Sequence, residues 1–431
     1  MKIAVIGGAG VRTPLLVNGL AASDLPIKEI ALYDPDAARL DTIAALARRF
    51  AGAARLTIQS TAEACVDAAD FVFTSIRVGG IERRARDEAT ALAHGIVGQE
   101  TVGPGGFAMA MRTIPPMVRY AADVARRAPH AWIVNFTNPV GIVTQAVREA
   151  TGARIIGICD TPTELFEEIA HALELPSSDC AFDYFGLNHL GWVREVLHRG
   201  EPQLHRLWDD PEALRRVYRG QLFSPEFLRD LRLLPTEYLY YYYRAPDAYR
   251  NAAQAGSGRG AVIERLNVDL FARLRGGVDD PVAAYAQYLA RRNAGYMQIE
   301  SGAAGPLERS PWVAATGYDK IALQVVRAIH FNLGSIVPLN VPNHGNLPDL
   351  ADDDIVEVPS VVNANGALPM HVGPVPDAAR RLLVQVKEYE RLTVRAALSA
   401  DRDAAVRALT RHPLVPSVEI ADRLVGALLP S

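Results

Sequence analysis

Cysteine is scarce in this chain, which carries only Cys65, Cys159 and Cys180 among its 431 residues. An odd and sparse set of this kind excludes a disulfide framework and is typical of a reducing compartment. A chain of this length can bury a sizeable apolar core without covalent staples. The cysteine content therefore favours a cytoplasmic protein.

Excess positive charge and long apolar runs are also missing. The formal net charge is −4 at neutral pH, whereas nucleic acids and anionic membranes attract basic surfaces. The apolar run at the start, within MKIAVIGGAG (1–10), is shorter than that of a signal peptide, and no later run is long enough to cross a bilayer. We expect a cytoplasmic protein whose partners include neither nucleic acid nor a membrane.

Short apolar runs alternate with helix-like segments in the first part of the chain. The runs are expected to be strands at 2–7, 29–34, 69–76, 131–136 and 154–159, with helices at 36–50, 107–127 and 138–150 between some of them. This alternation predicts an α/β fold built on a Rossmann-like, doubly wound parallel sheet. Strands buried on both faces of such a sheet are continuously apolar, as these are.

The pattern changes after about residue 182. Mixed strands are expected at 183–198 and an arginine-rich helical stretch at 203–232. Long helices are expected at 280–297 and 375–411, and loops at 254–260 and 340–350. We predict two domains, an NAD-binding domain over 1–182 and an α+β domain over 183–431 for substrate, metal and oligomerisation.

A glycine cluster follows the first predicted strand. Gly7, Gly8 and Gly10 precede a helix that is expected to begin near Thr13 and Pro14. Glycines let a backbone approach a pyrophosphate, and the helix N-terminus attracts its charge. Asp34, at the end of the second strand, is placed to bind a ribose 2′-hydroxyl and would repel a 2′-phosphate. The alternative is an ordinary tight turn, but the order of strand, glycines, helix and carboxylate favours NAD.

Polar residues follow two further predicted strands. Cys159 and Asp160 follow one of them, and Asn188 and His189 lie about thirty residues later in GLNHLGW (186–192). Thiolate and imidazole together suit a borderline divalent metal, with positions left for substrate and water. The alternatives are a small core cysteine and a structural histidine.

Three more segments carry polar groups. Asn135 and Asn138, in NFTNP (135–139), suit the hydroxyls of a ribose or sugar, or else form a turn before a helix. The arginines of 76–88, with Arg84 among them, form either a phosphate clamp or a solvated helix face. The tyrosine-rich segment LPTEYLYYYY (234–243) supplies core rings and one candidate base.

Taken together, these residues resemble family 4 of the glycoside hydrolases, the NAD- and divalent-metal-dependent phosphoglycosidases. The resemblance covers nearly the whole chain in the family's order. Besides GLNHLGW and the tyrosine segment, the matching stretches are GG-x-G-x-x-TP-x-LVNGL (7–20), R-x-GG-x-x-x-R-x-x-DE (77–88), G-x-x-GQET-x-GPGGFA-x-A-x-R-x-IP (95–115), NFTNPVG (135–141), C-D-x-P (159–162), KEYERLTVRAAL (387–398) and RHPLVPSV (411–418).

The resemblance implies hydrolysis by a redox route rather than by a pair of carboxylates. C3 of the sugar is oxidised by bound NAD, a base removes the C2 proton, the C1 substituent leaves, water adds and C3 is reduced again. Cys159 and His189 match the ligands of a metal such as Mn²⁺, which acts as a Lewis acid on the ketone and enediolate. Tyr238 matches the C2 base, whose ordinary pKa of ~10 the metal and Arg259 would have to lower.

The resemblance also implies how substrate is held. Arg84 matches the position associated with the sugar 6-phosphate, and Asn138 matches one that contacts sugar hydroxyls. Asn188 is a further candidate for substrate binding, and Asn135 for the cofactor. The implied substrate is a phosphorylated disaccharide or glycoside, and the implied assembly is a homodimer or homotetramer.

Two residues depart from the family's usual pattern. Arg12 replaces an uncharged residue of the glycine loop. Asp160 occurs in members that act on α-linked sugars, where it is the acid for the leaving group, whereas β-acting members often have Asn there. The tyrosine segment and the C-terminal region are more similar to the β-acting branch, so we predict a 6-phospho-β-glucosidase.

Other functions fit parts of the same pattern. Within the family, the alternatives are a 6-phospho-α-glucosidase and a glycosidase for unphosphorylated sugars. A 2-hydroxy acid dehydrogenase shares the predicted fold and would accumulate NADH. A non-catalytic NAD protein that senses sugar phosphates would show no metal-dependent turnover.

Overall fold

The computed structural model describes residues 1–218, 222–256, 258–295, 297, 299 and 316–429. Its thirteen strands are β1 (Lys2–Ile6), β2 (Glu29–Tyr33), β3 (Arg55–Ile58), β4 (Phe71–Thr74), β5 (Trp132–Asn135), β6 (Ile155–Gly157), β7 (Cys180–Leu187), β8 (Leu190–His198), β9 (Glu201–Pro202), β10 (Leu234–Pro235), β11 (Ser335–Pro342), β12 (Ile355–Asn363) and β13 (Gly366–Pro369).

The α-helices surround these strands. They are α1 (Thr13–Ala22), α2 (Ala37–Ala47), α3 (Ala62–Val66), α4 (Gly80–Ala93), α5 (Gly103–Arg127), α6 (Val140–Thr151), α7 (Thr161–Ala172), α8 (His205–Asp209), α9 (Pro211–Val217), α10 (Pro225–Leu231), α11 (Tyr240–Tyr243), α12 (Ala245–Gln254), α13 (Arg259–Arg275), α14 (Pro281–Ala294), α15 (Thr316–His330), α16 (Asp377–Ser399), α17 (Arg402–Arg411) and α18 (Val418–Leu428). Among the described residues, no helix is both long and apolar enough to pass through a membrane.

The main sheet has nine strands in the order β13-β12-β11-β6-β5-β4-β1-β2-β3. The six strands from β6 to β3 are parallel, which confirms the doubly wound α/β prediction. The central residues of β1, β2, β4, β5 and β6 are buried because helices cover both faces, as the apolar runs indicated, whereas the edge strand β3 is only half-buried. The five predicted strands are all present, and α1 begins at Thr13 as expected.

A second, antiparallel sheet contains β7, β8, β9 and β10. β7 and β8 form a hairpin in which Leu187 pairs with Leu190, so Asn188 and His189 are its two turn residues. β10 adds to the other edge of β8, where Leu234 pairs with Val193. This pairing brings the tyrosine-rich segment beside the hairpin turn.

Residues 335–369 extend the main sheet, although they lie far beyond the predicted boundary at 182. β11 runs antiparallel to β6, with Asn340 opposite Gly157, and β12 and β13 continue the sheet outward. The sequence did not predict these three strands, since β11 was taken in part for a loop. The division into 1–182 and 183–431 stays a prediction.

Several helical predictions need correction. The expected loop at 254–260 includes the start of α13 at Arg259, and its residue 257 lies outside the described residues. The stretch 375–411 is two helices, separated at Ala400, where φ is +53°. The arginine-rich stretch 203–232 is helical as expected, and its described residues form the three short helices α8, α9 and α10.

Glu357 of β12 ties the two sheets together. This buried carboxylate accepts hydrogen bonds from the Tyr184 hydroxyl of β7 at 2.7 Å and from the Asn340 amide of β11 at 2.8 Å. The Asn188 amide donates a third, longer bond at 3.4 Å. Burial raises the pKa of Glu357 to about 7, even though these three donors oppose the shift.

Glu357 therefore makes the stability of the protein dependent on pH. Its pKa is higher in the folded chain than its ordinary value of 4.5, so the protonated form favours folding, and this contribution disappears as the pH rises through about 7. Glu357→Gln keeps the shape and the hydrogen-bonding capacity without the titration. We expect the metal-free wild type to lose up to about 3 kcal/mol relative to Glu357→Gln between pH 5 and 7.5.

Denaturant unfolding of both proteins at the two pH values, with a chelator present, measures this difference. Titrations elsewhere in the chain cancel in the comparison. Parallel stability curves for the wild type and the variant would contradict the assignment.

Candidate active site

A cavity of about 560 Å³ opens at the carboxyl ends of the parallel strands. This edge is where open α/β sheets bind ligands. Nine of the residues predicted from the sequence line it: Gly7, Gly10, Asp34, Arg84, Asn138, Cys159, Asp160, His189 and Tyr238. The other four, Gly8, Asn135, Asn188 and Arg259, do not line it.

The glycine loop forms one wall of the cavity. The Gly7 and Gly8 amides both donate to the Tyr33 carbonyl, at 3.0 and 2.9 Å. Gly7 has a φ of +93°, and a Cβ there would lie 2.3 Å from the Ser75 carbonyl oxygen. Only glycine fits this turn, in which the chain leaves β1 and enters α1 beside the cavity.

Asp34 lies at the end of β2, opposite the glycine loop. Its carboxylate accepts hydrogen bonds from the amides of Ala9 at 3.2 Å and Asp36 at 3.0 Å. Burial raises its pKa, although both bonds oppose that shift. The carboxylate is thus fixed at the rim where a ribose would bind on this fold.

Arg12 and Asp160 connect the glycine loop to the loop that follows β6. Arg12 Nη1 lies 3.7 Å from Asp160 Oδ2, with the two side chains 38% and 27% exposed. Each residue immediately precedes a helix, α1 and α7 respectively. The unusual arginine of the glycine loop therefore compensates the charge of the unusual aspartate.

Cys159 lies two residues beyond the end of β6, with 7% of its surface exposed. Burial, together with the nearby charge of Glu357, raises the pKa of the thiol well above its usual value. In the protein alone Cys159 is a neutral thiol. It would have to lose its proton to bind a metal.

His189 projects from the β7–β8 turn, where its φ of +61° is unusual for a residue other than glycine. Its ring is stacked on the ring of Tyr238, with centroids 3.7 Å apart and planes 1° apart. Nδ1 lies 2.8 Å from the Thr101 hydroxyl. Burial lowers the pKa of His189 to about 4, so the imidazole is neutral, as a metal ligand must be.

The donors in the cavity fit a metal that is completed by substrate. In the described part of the chain, no group of three or more His, Cys, Asp or Glu side chains is poised around one point. Cys159 and His189 supply one sulfur and one nitrogen donor in the same cavity, a combination that suits a borderline divalent ion. Such a pair leaves coordination positions for ligand oxygens.

Asn138 lines the cavity and carries an unsatisfied hydrogen-bond acceptor. Its Oδ1 is buried and has no hydrogen-bond partner among the described residues. Buried acceptors of this kind are rare and generally indicate a missing partner. A ligand hydroxyl would satisfy it.

Buried charge forms the opposite wall. Arg84 contacts Glu88 at 2.7 Å and Glu100 at 2.9 Å, and Arg77 contacts Glu100 at 2.7 Å. Burial would raise the pKa of Glu100, but Arg84 and Arg77 hold it well below its usual range. The charge of Arg84 also interacts with Tyr238, so an arginine does stand near the candidate base.

Sequence reasoning missed Glu100 and Arg292 as cavity residues, and it considered Arg77 only as one of the arginines of 76–88. Glu100 lies within the GQET stretch (98–101), so its motif was noticed but not its role. Arg292 is on α14, more than two hundred residues from Arg77. The sequence around Arg292 contains no motif that indicates a binding or catalytic site.

The four predicted residues outside the lining have other contacts, and that of Gly8 is its bond to the Tyr33 carbonyl. Asn135 is fully buried and bonds to Thr74 and Thr144 at 2.9 and 3.1 Å, while Asn188 donates to Glu357. Arg259 donates to the Arg292 carbonyl and so lies behind a cavity residue. The roles predicted for these side chains remain predictions.

The fold and the cavity define an α/β protein with a dinucleotide-type glycine loop beside a Cys–His pair. Comparison with known families identifies it more closely. Residues 2–175 match the family 4 glycosyl hydrolases, and residues 184–415 match the C-terminal domain of the same family. The chain belongs to family 4 of the glycosyl hydrolases.

Relatives of both substrate types are similar to it. A probable 6-phospho-β-glucosidase of Bacillus subtilis is 31% identical over 447 residues, which is all of this chain and 96% of that protein. The 6-phospho-β-glucosidase of Thermotoga maritima, solved with manganese, NAD⁺ and glucose-6-phosphate, has a TM-score of 0.84 and 30% identity over 99% of this chain and 97% of its own. A 6-phospho-α-glucosidase from gut microorganisms, solved with NAD and glucose-6-phosphate, has a TM-score of 0.80 and 29% identity over 99% and 96%.

Replacing Glu100 with Gln should destabilise the protein and make it respond to anions. The change removes the carboxylate that Arg77 and Arg84 share, so that Glu88 alone remains to compensate the buried charge of Arg84. We expect a loss of about 3 kcal/mol in unfolding free energy. Millimolar phosphate should recover more stability in the variant than in the wild type, because an anion can replace the carboxylate.

Glu82→Gln is the matched control, since Glu82 lines the same cavity but is exposed. Denaturant unfolding with and without phosphate measures both effects. A Glu100→Gln protein with wild-type stability, or with no added response to phosphate, would show that this charge cluster is not what the geometry indicates.

Proposed function

We propose that the protein hydrolyses 6-phosphoglucosides, preferentially the β-linked ones, with NAD and a divalent metal such as Mn²⁺ bound in the cavity. The observation that carries this proposal is the stack of Tyr238 on His189 in one cavity with the glycine loop and Cys159. A candidate base, two candidate metal ligands and a dinucleotide loop meet there. A dehydrogenase for hydroxy acids has no need of the tyrosine.

The glycine loop and Asp34 fit NAD. The close turn at Gly7 leaves the N-terminus of α1 directed at a pyrophosphate, and Asp34 suits the ribose hydroxyls of NAD rather than the phosphate of NADP. NAD bound in this way would accept hydride from C3 of the sugar and return it in the same turnover. The net reaction is then hydrolysis without accumulated NADH.

Cys159 and His189 fit the metal. Together they would hold an ion whose remaining positions face the sugar hydroxyls, where it supplies Lewis acidity to O2 and O3. Asn138 lines the same cavity, and its unpartnered Oδ1 would accept a bond from one of those hydroxyls. These contacts would orient the ring and expose C2.

Tyr238 would take the proton from C2. Its ring is held by the stack on His189, and its segment is fixed through β10, whose edge bonds to β8. The positive charge of Arg84 would stabilise the tyrosinate, as a metal nearby would. Arg259 would act through its contact with Arg292.

Arg84 would also bind the 6-phosphate. Although it is paired with Glu88 and Glu100, its guanidinium carries five N–H donors, and only some of them serve those two partners. Arg77 and Arg292 line the same wall and would share the negative charge. A phosphate would then lie near Glu100, on the side of the cavity where Arg77, Arg84 and Arg292 make the charge mainly positive.

The pair of Arg12 and Asp160 supports the β preference. Asp160 lies 3.7 Å from Arg12, so its carboxylate is held in an ion pair rather than presented alone to a leaving group. Retention of the carboxylate itself favours the second candidate, a 6-phospho-α-glucosidase.

We also infer that the protein is a homodimer or homotetramer. We infer a cytoplasmic location, with which the sparse cysteines are consistent.

The decisive assay compares p-nitrophenyl α- and β-glucoside 6-phosphates with the unphosphorylated glucosides, in the presence of NAD, Mn²⁺ and a reductant. We expect release from the β-linked phosphate, faster than from the α-linked one, and no net absorbance from NADH. Faster release from the α-linked compound would reverse the anomeric assignment. Release only from unphosphorylated glucosides would remove the phosphate role of Arg84.

Tyr238→Phe should separate the first two chemical steps. Without the hydroxyl, the C2 proton stays in place, so we expect turnover to fall by at least about 100-fold, the usual contribution of a general base. Exchange of C2 deuterium with solvent should fall with it, while a single-turnover signal of NADH formation persists. Tyr243→Phe, in the same segment but outside the cavity lining, is the control. Undiminished C2 exchange in Tyr238→Phe would show that another group is the base.

A further inference from the structure

The side-chain amide of Gln99 has a defined orientation. Its Oε1 accepts hydrogen bonds from the backbone amides of Thr101 at 2.5 Å and Val102 at 2.8 Å. Backbone N–H groups only donate, so it is the amide oxygen, not the nitrogen, that faces them. Gln99 is 5% exposed, and no rotation of the amide would satisfy both donors otherwise.

The Thr101 hydroxyl is a third donor to this oxygen of Gln99. It lies 2.9 Å from the same Oε1, and a carbonyl oxygen only accepts. The hydroxyl has one proton, which this bond uses. In its other bond, at 2.8 Å to His189 Nδ1, the hydroxyl oxygen can only accept.

His189 Nδ1 must then carry the ring proton. In a neutral imidazole one nitrogen is protonated and the other has a lone pair. With the proton on Nδ1, the lone pair is on Nε2. Each step follows from which atom can donate, and the chain of steps begins at backbone amides whose hydrogens are fixed.

We propose that Gln99 and Thr101 are positioning residues that hold His189 in its Nδ1–H tautomer, so that Nε2 is ready to bind the metal. The proposal rests on the proposed function, since it assigns His189 to the metal. A histidine in water favours the opposite tautomer, with the proton on Nε2, which cannot ligate through that atom. The bond from Nδ1 also fixes the plane of the ring, and thereby the plane of Tyr238 stacked on it.

The hydrogen-bonded series from Gln99 through Thr101 to His189, here called the relay, is held in place because the backbone of α5 lies close to the backbone of residues 99–101. A Cβ on Gly105 would lie 2.0 Å from the Gln99 carbonyl oxygen, and one on Gly106 would lie 2.4 Å from the Thr101 carbonyl oxygen. These two glycines, in the first turn of α5, let the helix pack directly against the 99–101 segment. The GQET-x-GPGG stretch is thus a single unit that presents one hydroxyl to His189.

Thr101→Val removes the hydroxyl at nearly constant volume, and Thr101→Ser restores it. Thr113→Val is the matched control, because Thr113 is a buried threonine of α5 whose hydroxyl has no hydrogen-bond partner among the described residues. Two quantities are measured on each protein. One is the tautomer of His189 in metal-free, ¹⁵N-histidine-labelled protein at neutral pH, with the resonance assigned by its loss in His189→Gln. The other is the affinity for Mn²⁺, from the electron paramagnetic resonance signal of the free ion.

We expect the wild type and Thr113→Val to show Nδ1–H, Thr101→Val to move toward Nε2–H, and Thr101→Ser to return to Nδ1–H. Mn²⁺ affinity should fall by about 10- to 100-fold in Thr101→Val, as for other partners of metal-binding histidines, and recover in Thr101→Ser. An Nε2–H tautomer in the wild type would overturn the proposal even if no variant folded. So would a Thr101→Val protein with unchanged tautomer and Mn²⁺ affinity. Because the tautomer is read without metal or substrate, a failure of the proposed glucosidase activity would be distinguishable from a failure of the relay.

Discussion

The buried contact of Glu100 with Arg84 and Arg77 is the interaction on which the cavity depends. A carboxylate removed from water is stable there only because two guanidinium groups compensate it. Glu100 is next to Thr101, so the same backbone segment that anchors the arginines also presents the hydroxyl to His189. The wall of charged residues and the wall that carries His189 are therefore not independent, and a displacement of one would move the other.

Cys159 and His189 are buried and, among the described residues, have no charged partner of opposite sign like those that Glu100 has, and burial therefore determines their protonation. Cys159 and His189 both lose their charged forms in the protein alone, the thiol because its pKa rises and the imidazole because its pKa falls. A neutral ring is ready for a cation, whereas a neutral thiol is not. Binding of a divalent metal at this pair would release a proton from Cys159 but none from His189. The ion would also bring positive charge to the part of the cavity that Cys159 and His189 line.

Much of the fold could be predicted from the sequence, because buried parallel strands are continuously apolar and the glycine loop has a local signature. The strands β11, β12 and β13 could not, since their pairing with β6 is a long-range contact and β11 is interrupted by prolines that resemble a loop. In the site, Cys159, His189 and Tyr238 were found from motifs. The hydrogen bond from Asn188 to Glu357 was not predicted, because Glu357 belongs to β12, one of the strands that were missed.

The position of Glu357 shows why this protein needs its two sequence segments to fold together. Residues 355–363 place that carboxylate in the sheet beside β11, where its charge adds to burial in raising the pKa of Cys159 in the loop after β6. A fragment ending near residue 182 would lack β11 and β12, and with them this contribution to the environment of the thiol. It would also lack His189 and Tyr238. The glycine loop between β1 and α1 would remain in such a fragment, but the part of the cavity that His189 and Tyr238 line would be missing. A dinucleotide loop on this fold is thus one component of the site, and under the proposed function the residues that the second half of the chain brings to it would direct the chemistry to hydrolysis rather than net oxidation.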